Sequence, residues 1–387
     1  MGILLFDPTE RDNFSPVTYT RAFADMYAGT MPLKQWWQHI TGENIYILTQ
    51  EYLRKKYEPC PVNESYIYIN AAAIATPELW KAIQLLSLDE ILVNKDRATI
   101  AFKSKNNYQQ ETNFKIKRDT EILHDTALIQ YPHQLVAWNK KFFALQKDYL
   151  IKKERKSAIS ATNLLINPNA IFIEEGCTIE GCTINASDGP VYISKNCTIM
   201  ESACIRGPFF LGENSVIKMG AKIYGATTIG KKCTIGGELK NVIIHDYSNK
   251  AHDGYLGDSI MGSWCNLGAG TSCSNVKNTG GDVKILHAKT GKYMTAGLKF
   301  GTIMGDYSRT AINTSINSGT RVGVCCSLHD AKSFSTEVRN FSWGNKGQKS
   351  YKIMEALKHI HNWMNFKNEA LLAVEIEILE YLFNKAE

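Results

Sequence analysis

The sequence predicts an α/β N-terminal domain, then a parallel β-helix, then a C-terminal helical segment. The main observation is an unbroken six-residue spacing of apolar residues: Ile193, Ile199, Ile205, Leu211, Ile217, Ile223, Ile229 and Ile235. Neither the 3.6-residue period of a helix nor the two-residue period of a strand produces this spacing. A hexapeptide repeat is typical of a parallel β-helix. The second observation is an alternation of short apolar runs with helical patterns before residue 105, which is typical of an α/β sheet.

The alternative to a β-helix is a β-sandwich with hydrophobic strands, and eight consecutive apolar positions on one spacing count against it. The 387 residues exceed what one hydrophobic core holds. We therefore predict four segments, namely an α/β domain at 1–105, a connector with a helix at 106–158, the β-helix at 159–345 and a helical segment at 346–387.

In the α/β domain, apolar runs predict strands at 3–6, 45–48 and 66–69. Helical patterns lie at 33–40, at 50–57 and from Pro77, and the connector carries one at 138–156. This alternation predicts a parallel sheet with helices on its faces. Such sheets bind ligands beyond the carboxyl ends of their strands.

Within the β-helix, small residues often stand two positions before each apolar one, where they would fit a tight corner. They are Cys197, Ala203, Ser215, Ala221, Thr227 and Cys233. The spacing returns from Met261 to Cys273 and from Met304 to Leu328, and is interrupted at 276–295. This interruption must leave the coil, and such loops often carry function. The helical pattern at 349–385 is expected to cap the open end of the β-helix.

Composition restricts the function only broadly. The net charge of +6 suits anionic phosphate ligands without requiring a nucleic acid. The chain has no run of eighteen apolar residues and no basic leader, so we expect a cytoplasmic protein without a membrane span. Its ten cysteines lack a CxxC pair, and several stand at corner positions as small hydrophobic residues. His245 and His252 lack the spacing of a zinc site, so no metal site is predicted.

His252 falls outside the apolar spacing, among small and polar residues, which predicts an exposed position at a corner or loop. A histidine there suits a general base, and a surface histidine without a role fits the sequence equally well. Gly268 and Gly270 flank Ala269 in a later turn. These glycines fit either close approach of the backbone to a ligand or the geometry of the corner itself.

The order of residues around His252 resembles a known family. His252 precedes the run Tyr255-Leu-Gly-Asp258, and Asn266-Leu-Gly-Ala-Gly-Thr follows. This order resembles the acetyltransferase domain of the GlmU family, the bifunctional enzymes that make UDP-N-acetylglucosamine. The resemblance implies a nucleotidyltransferase-like (Rossmann-like) first domain, a left-handed parallel β-helix, a homotrimer, and acetyl-CoA as co-substrate.

The resemblance also implies residue roles. His252 matches the catalytic base that deprotonates the amine of glucosamine 1-phosphate, while Ala269, with Gly268 and Gly270, matches the contact to acetyl-CoA. The residues matched or assigned to the sugar phosphate are Tyr255, Asn266, Asn275 and Lys250. The sequence departs from the family after Asn275, where Val276 replaces a tyrosine.

The first domain departs further from the family. A pyrophosphorylase needs a glycine-rich loop after its first strand and an acidic residue that holds Mg²⁺. Here residues 7–13 contain no glycine, and the third strand is followed by Asn70 and three alanines. Residues 15–21 and 29–33 resemble the segment after that loop in a divergent branch. Arg21 is a candidate phosphate ligand, although pairing with Asp25 at i+4 is the favoured alternative.

The leading functional prediction is an acetyl-CoA-dependent N-acetyltransferase that acts on an amino-sugar phosphate, fused to a sugar nucleotidyltransferase-like domain. A second prediction is a sugar-1-phosphate nucleotidylyltransferase that forms UDP- or dTDP-sugars and uses Mg²⁺ if the first domain is active. A third is a non-catalytic scaffold that binds nucleotide sugars. The sugar, the acyl group and the nucleotide are not fixed by the sequence.

Overall fold

The computed structural model describes residues 1–105, 121–151, 159–329, 334–344 and 349–386. The chain forms two compact units. The first contains Met1–Arg11, Thr20–Met26 and Met31–Tyr131, and the second contains Asp12–Tyr19, Tyr27–Thr30 and Pro132–Glu387. Residues 106–120 and 152–158 of the predicted connector lie outside the described residues, and with them the end of the helix predicted at 138–156.

The elements up to residue 151 are β1 Gly2–Phe6, β2 Tyr27–Ala28, β3 Met31–Pro32, α1 Leu33–Thr41, β4 Ile45–Leu48, β5 Tyr66–Asn70, α2 Pro77–Gln84, β6 Ile91–Val93, β7 Thr99–Ser104, β8 Glu121–Leu123, α3 Pro132–Leu145 and α4 Lys147–Ile151. Short 3₁₀ helices are Arg11–Phe14, Val17–Tyr19, Phe23–Asp25 and Glu51–Lys56, with a further one at Pro168–Ala170. The predicted strands and the helices of α1 and α2 are confirmed. The helix predicted at 50–57 is a 3₁₀ helix because it spans only two short turns.

The first unit contains one six-stranded sheet in the order β4-β1-β5-β7-β6-β8. Its half formed by β4, β1 and β5 is parallel, as predicted. The prediction of a wholly parallel sheet is wrong, since β7 runs antiparallel to both β5 and β6. The cause is the short turn at 94–98, in which the Asn94 side chain accepts hydrogen bonds from Asp96 N and Ala98 N. A connection of this length joins only antiparallel strands.

The β-helix strands up to the interruption are β9 Leu164–Ile166, β10 Ile171–Ile173, β11 Thr178–Ile179, β12 Thr183–Asn185, β13 Val191–Ile193, β14 Thr198–Ile199, β15 Cys204–Arg206, β16 Phe209–Leu211, β17 Val216–Ile217, β18 Lys222–Tyr224, β19 Thr227–Ile229, β20 Thr234–Ile235, β21 Glu238–Lys240, β22 Ile243–Ile244, β23 Asn249–Lys250, β24 Tyr255–Gly257, β25 Ile260–Met261, β26 Asn266–Leu267 and β27 Ser272–Cys273. After them come β28 Val283–Leu286, β29 Tyr293–Gly297, β30 Thr302–Met304, β31 Arg309–Thr310, β32 Ser315–Ile316, β33 Thr320–Val322, β34 Ser327–Leu328, β35 Glu337–Val338, β36 Ser342–Trp343, β37 Lys349–Ser350, α5 Ile353–Asn365 and α6 Ala373–Ala386.

Apart from the hairpin strands β28 and β29 and from β37, which pairs antiparallel with β36, these strands stack into three parallel faces that enclose one core. The first face begins with β10, the second with β11 and the third with β9, and each face gains one strand per coil. The apolar residues of the six-residue spacing are buried inside, and the small residues two positions before them are buried at the corners. The predicted left-handed parallel β-helix is confirmed as the fold of this part of the chain.

The six-residue spacing fails after Ile235 because three turns are short. The next inward-facing residues are Leu239, Ile244, Lys250, Leu256 and Met261, which the strand register places over the preceding coils. The steps from Ile235 to Leu239 and on to Ile244 are four and five residues. The strands keep their alignment with the preceding coil, so the shortening falls in the corners.

Two segments lie outside the coils. Residues 276–295 leave the β-helix as predicted, and β28 pairs with β29 as an antiparallel hairpin. The C-terminal helices differ from the predicted cap over the open end, because their connection contacts the second face at several coils. Lys367 Nζ donates to Asn249 Oδ1 at 3.0 Å, and Lys232 forms an ion pair with Glu369 at 2.6 Å. The apolar side of α5, with Ala356, Ile360 and Met364 buried, accounts for this packing.

Candidate active site

A shortened corner creates a groove beside His252. The turn after β17 has five residues between the inward-facing Ile217 and Ile223, whereas the turn after β20 has three, at 236–238. The groove at this corner has a volume of about 670 Å³. Its wall consists of Met200, Lys218, Met219, Gly236, Gly237, Ala251, His252, Asp253, Ala269, Gly270, Ile312 and Asn313. The missing residues at this corner therefore leave an open site on the surface of the β-helix.

His252 lies in the turn that follows β23 and is exposed, as predicted from its place outside the apolar spacing. It shares the groove wall with Ala269 and Gly270, which belong to the turn after β26, one coil further along. Three of the predicted site residues are thus brought together. A histidine on the wall of an open groove is accessible to a substrate and to the proton that it would accept.

Gly268 and Gly270 both have reasons within the fold to be glycine. Gly270 has a φ of +73°, which disfavours other residues. A Cβ at Gly268 would lie 2.5 Å from the backbone carbon of Ala311 in the next coil. The corner geometry therefore requires these glycines, whether or not a ligand also approaches them.

Lys250 occupies an inward-facing position that other coils fill with apolar residues. It is aligned with Ile235 one coil before, and it is 1% exposed. Its ammonium donates hydrogen bonds to the carbonyl of Gly236, at 3.4 Å, and to the carbonyl of His252. Burial lowers the pKa of Lys250 to about 8, and the nearby Asp253 carboxylate opposes this shift.

Tyr255 and Asn275 meet at a second place, around the buried carboxylate of Asp258. Asn275 Nδ2 donates to Asp258 Oδ2, and Asn241 Nδ2 donates to Asp258 Oδ1 at 2.6 Å. Asn275 is also hydrogen-bonded to the side chain of Tyr255. Burial, and then the Asp258 carboxylate, raises the pKa of Tyr255 to about 12, so its phenol remains protonated and available as a donor. Asp258 and Asn241 were not identified as site residues from the sequence, although Asp258 is the last residue of the run Tyr255-Leu-Gly-Asp258.

We expect Asp258→Asn to weaken both the fold and this cluster. Asp258 has a φ of +44°, a conformation that asparagine tolerates, so the backbone should remain unchanged. One amide donor of the cluster would then face another amide donor, at a cost of about 1–3 kcal/mol. The measurement is the urea midpoint of unfolding, and the exposed Asp282→Asn is the matched control. An unchanged midpoint in Asp258→Asn would show that the cluster does not depend on the carboxylate.

Asn266 lies at a third place, on the outer side of the second face. Its Oδ1 accepts a hydrogen bond from Asn249 Nδ2 at 3.4 Å. Asn249 is in turn bonded to Lys367, whose pKa is lowered by burial. The connection between α5 and α6 therefore brings a cationic side chain next to a predicted sugar contact. The sequence did not reveal this, because the two residues are 101 positions apart.

In the first unit, polar residues meet at the carboxyl ends of β1 and β4. The carboxylate of Asp7 accepts hydrogen bonds from Thr49 Oγ1 at 2.6 Å and from Phe23 N at 2.8 Å. Arg11 Nε forms an ion pair with Asp7 Oδ2 at 2.9 Å. Arg21 is 7% exposed, and its carbonyl accepts a hydrogen bond from Arg11. The Asp25 carboxylate, the alternative partner considered for Arg21, accepts a hydrogen bond from the Tyr57 hydroxyl.

The residues after β1 and β5 do not fit a Mg²⁺ site. Both oxygens of Asp7 already accept protein donors, and Asn70 Oδ1 accepts Ala72 N at 2.9 Å. In the described part of the chain there is no group of three or more His, Cys, Asp or Glu residues placed to hold a metal.

Among the described residues, none of the helices combines the length and apolarity of a membrane span. All ten cysteines are free thiols.

Comparisons with known proteins show what parts of this chain are similar to. A family model described as sugar nucleotidyl transferase matches residues 3–156. The GlmU protein of Cyanothece sp. is 28% identical over 199 residues, covering 44% of this chain and 42% of the relative. This chain is therefore similar to the GlmU proteins over part of its length. A bifunctional sugar-1-phosphate nucleotidylyltransferase/acetyltransferase of Sulfurisphaera tokodaii is 27% identical over 167 residues, covering 43% of this chain and 40% of the relative.

The extent of these matches is partial. This chain aligns with about two fifths of the length of the Cyanothece relative. A shorter stretch of 67 residues is 42% identical to GlmU of Acaryochloris marina and covers 17% of this chain and 15% of the relative. A solved structure of Arabidopsis UDP-N-acetylglucosamine acyltransferase is 13% identical with a TM-score of 0.21, covering 58% of this chain and 88% of that one.

Proposed function

We propose that the β-helix of this GlmU-like protein is an acetyl-CoA-dependent N-acetyltransferase that acts on an amino-sugar phosphate. The observation that carries the proposal is the exposed imidazole of His252 on the wall of an open groove, together with Ala269 and Gly270. A relative named as a bifunctional sugar-1-phosphate nucleotidylyltransferase/acetyltransferase supports it. A scaffold that binds a ligand without chemistry would need the groove but not a base on its wall.

In this proposal, His252 accepts a proton from the amino group of the sugar while that amino nitrogen attacks the thioester carbonyl of acetyl-CoA. The new C–N bond forms, the C–S bond breaks, and coenzyme A leaves and takes up a proton as its free thiol. Ala269 and Gly270 border the acetyl-CoA side of the groove, where the short turn at 236–238 makes room. A base held in position supplies about 10²–10⁴-fold in rate.

Tyr255, Asn266 and Asn275 bind the sugar phosphate in this proposal, with Lys367 as a cation near Asn266. Within one chain, these residues lie in two clusters separate from the groove wall. We therefore propose a homotrimer in which residues of neighbouring protomers complete each site. Packing three β-helices around an axis would also bury their long flat faces. We assign the protein to the cytoplasm, with no membrane or nucleic-acid partner.

The test is to incubate the purified protein with acetyl-CoA and a panel of amino-sugar 1-phosphates and to follow free thiol. We expect thiol release with at least one sugar, and we expect the acetylated sugar by mass spectrometry in equal amount. Heat of binding for acetyl-CoA alone, without thiol release for any sugar, would favour a different acceptor. Neither heat nor thiol release would reject the acetyltransferase and favour the scaffold.

A second activity is favoured by the family match to the first unit. We propose that this unit binds a nucleotide or nucleotide sugar, with the buried Arg11 and Arg21 near the carboxyl ends of β1 and β4 as the cationic groups. Since the described residues do not fit Mg²⁺, the proposal includes no step through a metal. The test is pyrophosphate release from UTP or dTTP with several sugar 1-phosphates, with and without Mg²⁺. Release in none of them would leave only the binding role.

A further inference from the structure

A buried lysine lies directly beneath the turn that carries the proposed catalytic base. Lys250 faces the interior of the β-helix, in a stack that contains Ile235 in the preceding coil and Leu267 in the following one. Apolar residues fill this stack in both neighbouring coils. An ammonium group at such a position is costly, because burial removes it from water. A leucine or methionine would fill the space without that cost.

The contacts of the Lys250 ammonium indicate what it does. It donates to the His252 carbonyl, two residues along the chain, and to the Gly236 carbonyl in the coil below. The ammonium therefore links the turn that carries His252 to the short turn that opens the groove. Its lowered pKa has burial as its main cause, and Asp253, next to His252, is the charged group that opposes it.

The shortened corner explains why this link is needed. In a corner of full length, the backbone of each turn stacks on the backbone of the corresponding turns in the neighbouring coils. At 236–238 two residues are missing, so the five-residue turn at 251–255 that carries His252 stacks on a corner of three residues, and both turns border the groove. The imidazole is exposed and stands on that turn. Without a bond from the interior, the turn would have more freedom to move.

We propose that Lys250 is a positioning residue whose ammonium, by holding the His252 carbonyl, fixes the turn and the imidazole on it. This inference rests on the proposed acetyltransferase. It replaces the substrate contact expected for Lys250 from the sequence with a role inside the coil. Lys250 acts through His252 and does not touch the substrate.

The test compares Lys250→Met with Leu267→Met, its neighbour in the same stack. Methionine retains the length of the side chain and removes the ammonium. In Lys250→Met we expect an unchanged or higher unfolding midpoint, because an apolar side chain replaces a buried charge. We expect hydrogen exchange of the 251–257 amides to become faster. We also expect kcat for acetyl transfer to fall about 10- to 100-fold, with little change in KM for acetyl-CoA, because the base is misplaced. Leu267→Met should leave all three close to wild type.

The outcomes separate this inference from the proposed function. Unchanged exchange of the 251–257 amides in Lys250→Met would overturn the positioning role, whatever the activity. Faster exchange with unchanged kcat would also overturn it, because the turn would then move without effect on the base. A lower midpoint with a parallel loss of activity would indicate a purely structural lysine. If the wild-type protein transfers no acetyl group, the acetyltransferase is rejected, and the exchange data alone decide whether Lys250 holds the turn.

Discussion

Replacing His252 with alanine is expected to lower the rate of acetyl transfer at least about 100-fold, because the variant lacks the base that accepts the amine proton. The imidazole is exposed, and the hydrogen bond from Lys250 is accepted by the backbone carbonyl of His252, which alanine retains. The β-helix should therefore remain folded. The measurement is kcat for thiol release, together with the circular dichroism spectrum and the unfolding midpoint.

His361→Ala is the matched control for this variant. His361 is an exposed histidine on α5 and is not one of the residues that form the groove wall. Its removal should leave kcat unchanged. A His252→Ala protein that is folded and transfers acetyl groups at the wild-type rate would show that His252 is a surface histidine without a catalytic role.

Replacing Asp7 with alanine is expected to destabilise the first unit by about 3–5 kcal/mol, because it leaves a buried cation without its counterion. The side chains of Arg11 and Asp7 are 5% and 7% exposed. Thr49 and the Phe23 amide would lose their acceptor at the same time. Burial raises the pKa of Asp7, and the Arg11 guanidinium opposes this shift. The ionised Asp7 carboxylate and its ion pair with Arg11 therefore stabilise each other. The measurement is the urea midpoint of the unfolding transition assigned to this unit.

Asp96→Ala is the control for Asp7→Ala. Asp96 is exposed in the turn between β6 and β7, in the same unit. Its substitution should shift the midpoint little, since surface changes are usually within about 0.5 kcal/mol. A midpoint for Asp7→Ala that matches this control would mean that the cluster at the carboxyl ends of β1 and β4 contributes little to stability.

The β-helix could be predicted from the sequence because every sixth residue of a regular coil must place an apolar side chain in the core. This rule identified the core from Ile193 to Ile235. It failed at the next coil, where the corner at 236–238 is short and Lys250 takes an inward position. An apolar pattern does not reveal a buried lysine, because its place is fixed by strand register and its acceptors are backbone carbonyls.

The site was predictable in part for a similar reason. The exposure of His252 follows from its place outside the spacing, and its nearness to Gly270 follows from stacking of adjacent coils. One cluster could not be predicted, namely that of Asn241, Asp258 and Asn275. Each of these residues is 17 positions, or one coil, from the next, and no local sequence pattern marks them. In the first unit, the antiparallel β7 depends on a five-residue turn that the apolar runs do not reveal.

The short corner at 236–238 has a consequence for how such a protein diversifies. Each layer of a solenoid touches only the layers above and below it. Deleting two residues from one layer therefore opens a cleft while more distant layers remain in place. The size and shape of the cleft could change through small deletions or insertions at neighbouring bends, without redesign of the interior. In this architecture, chain length at the bends is a route to new specificity that is largely separate from the choice of core side chains.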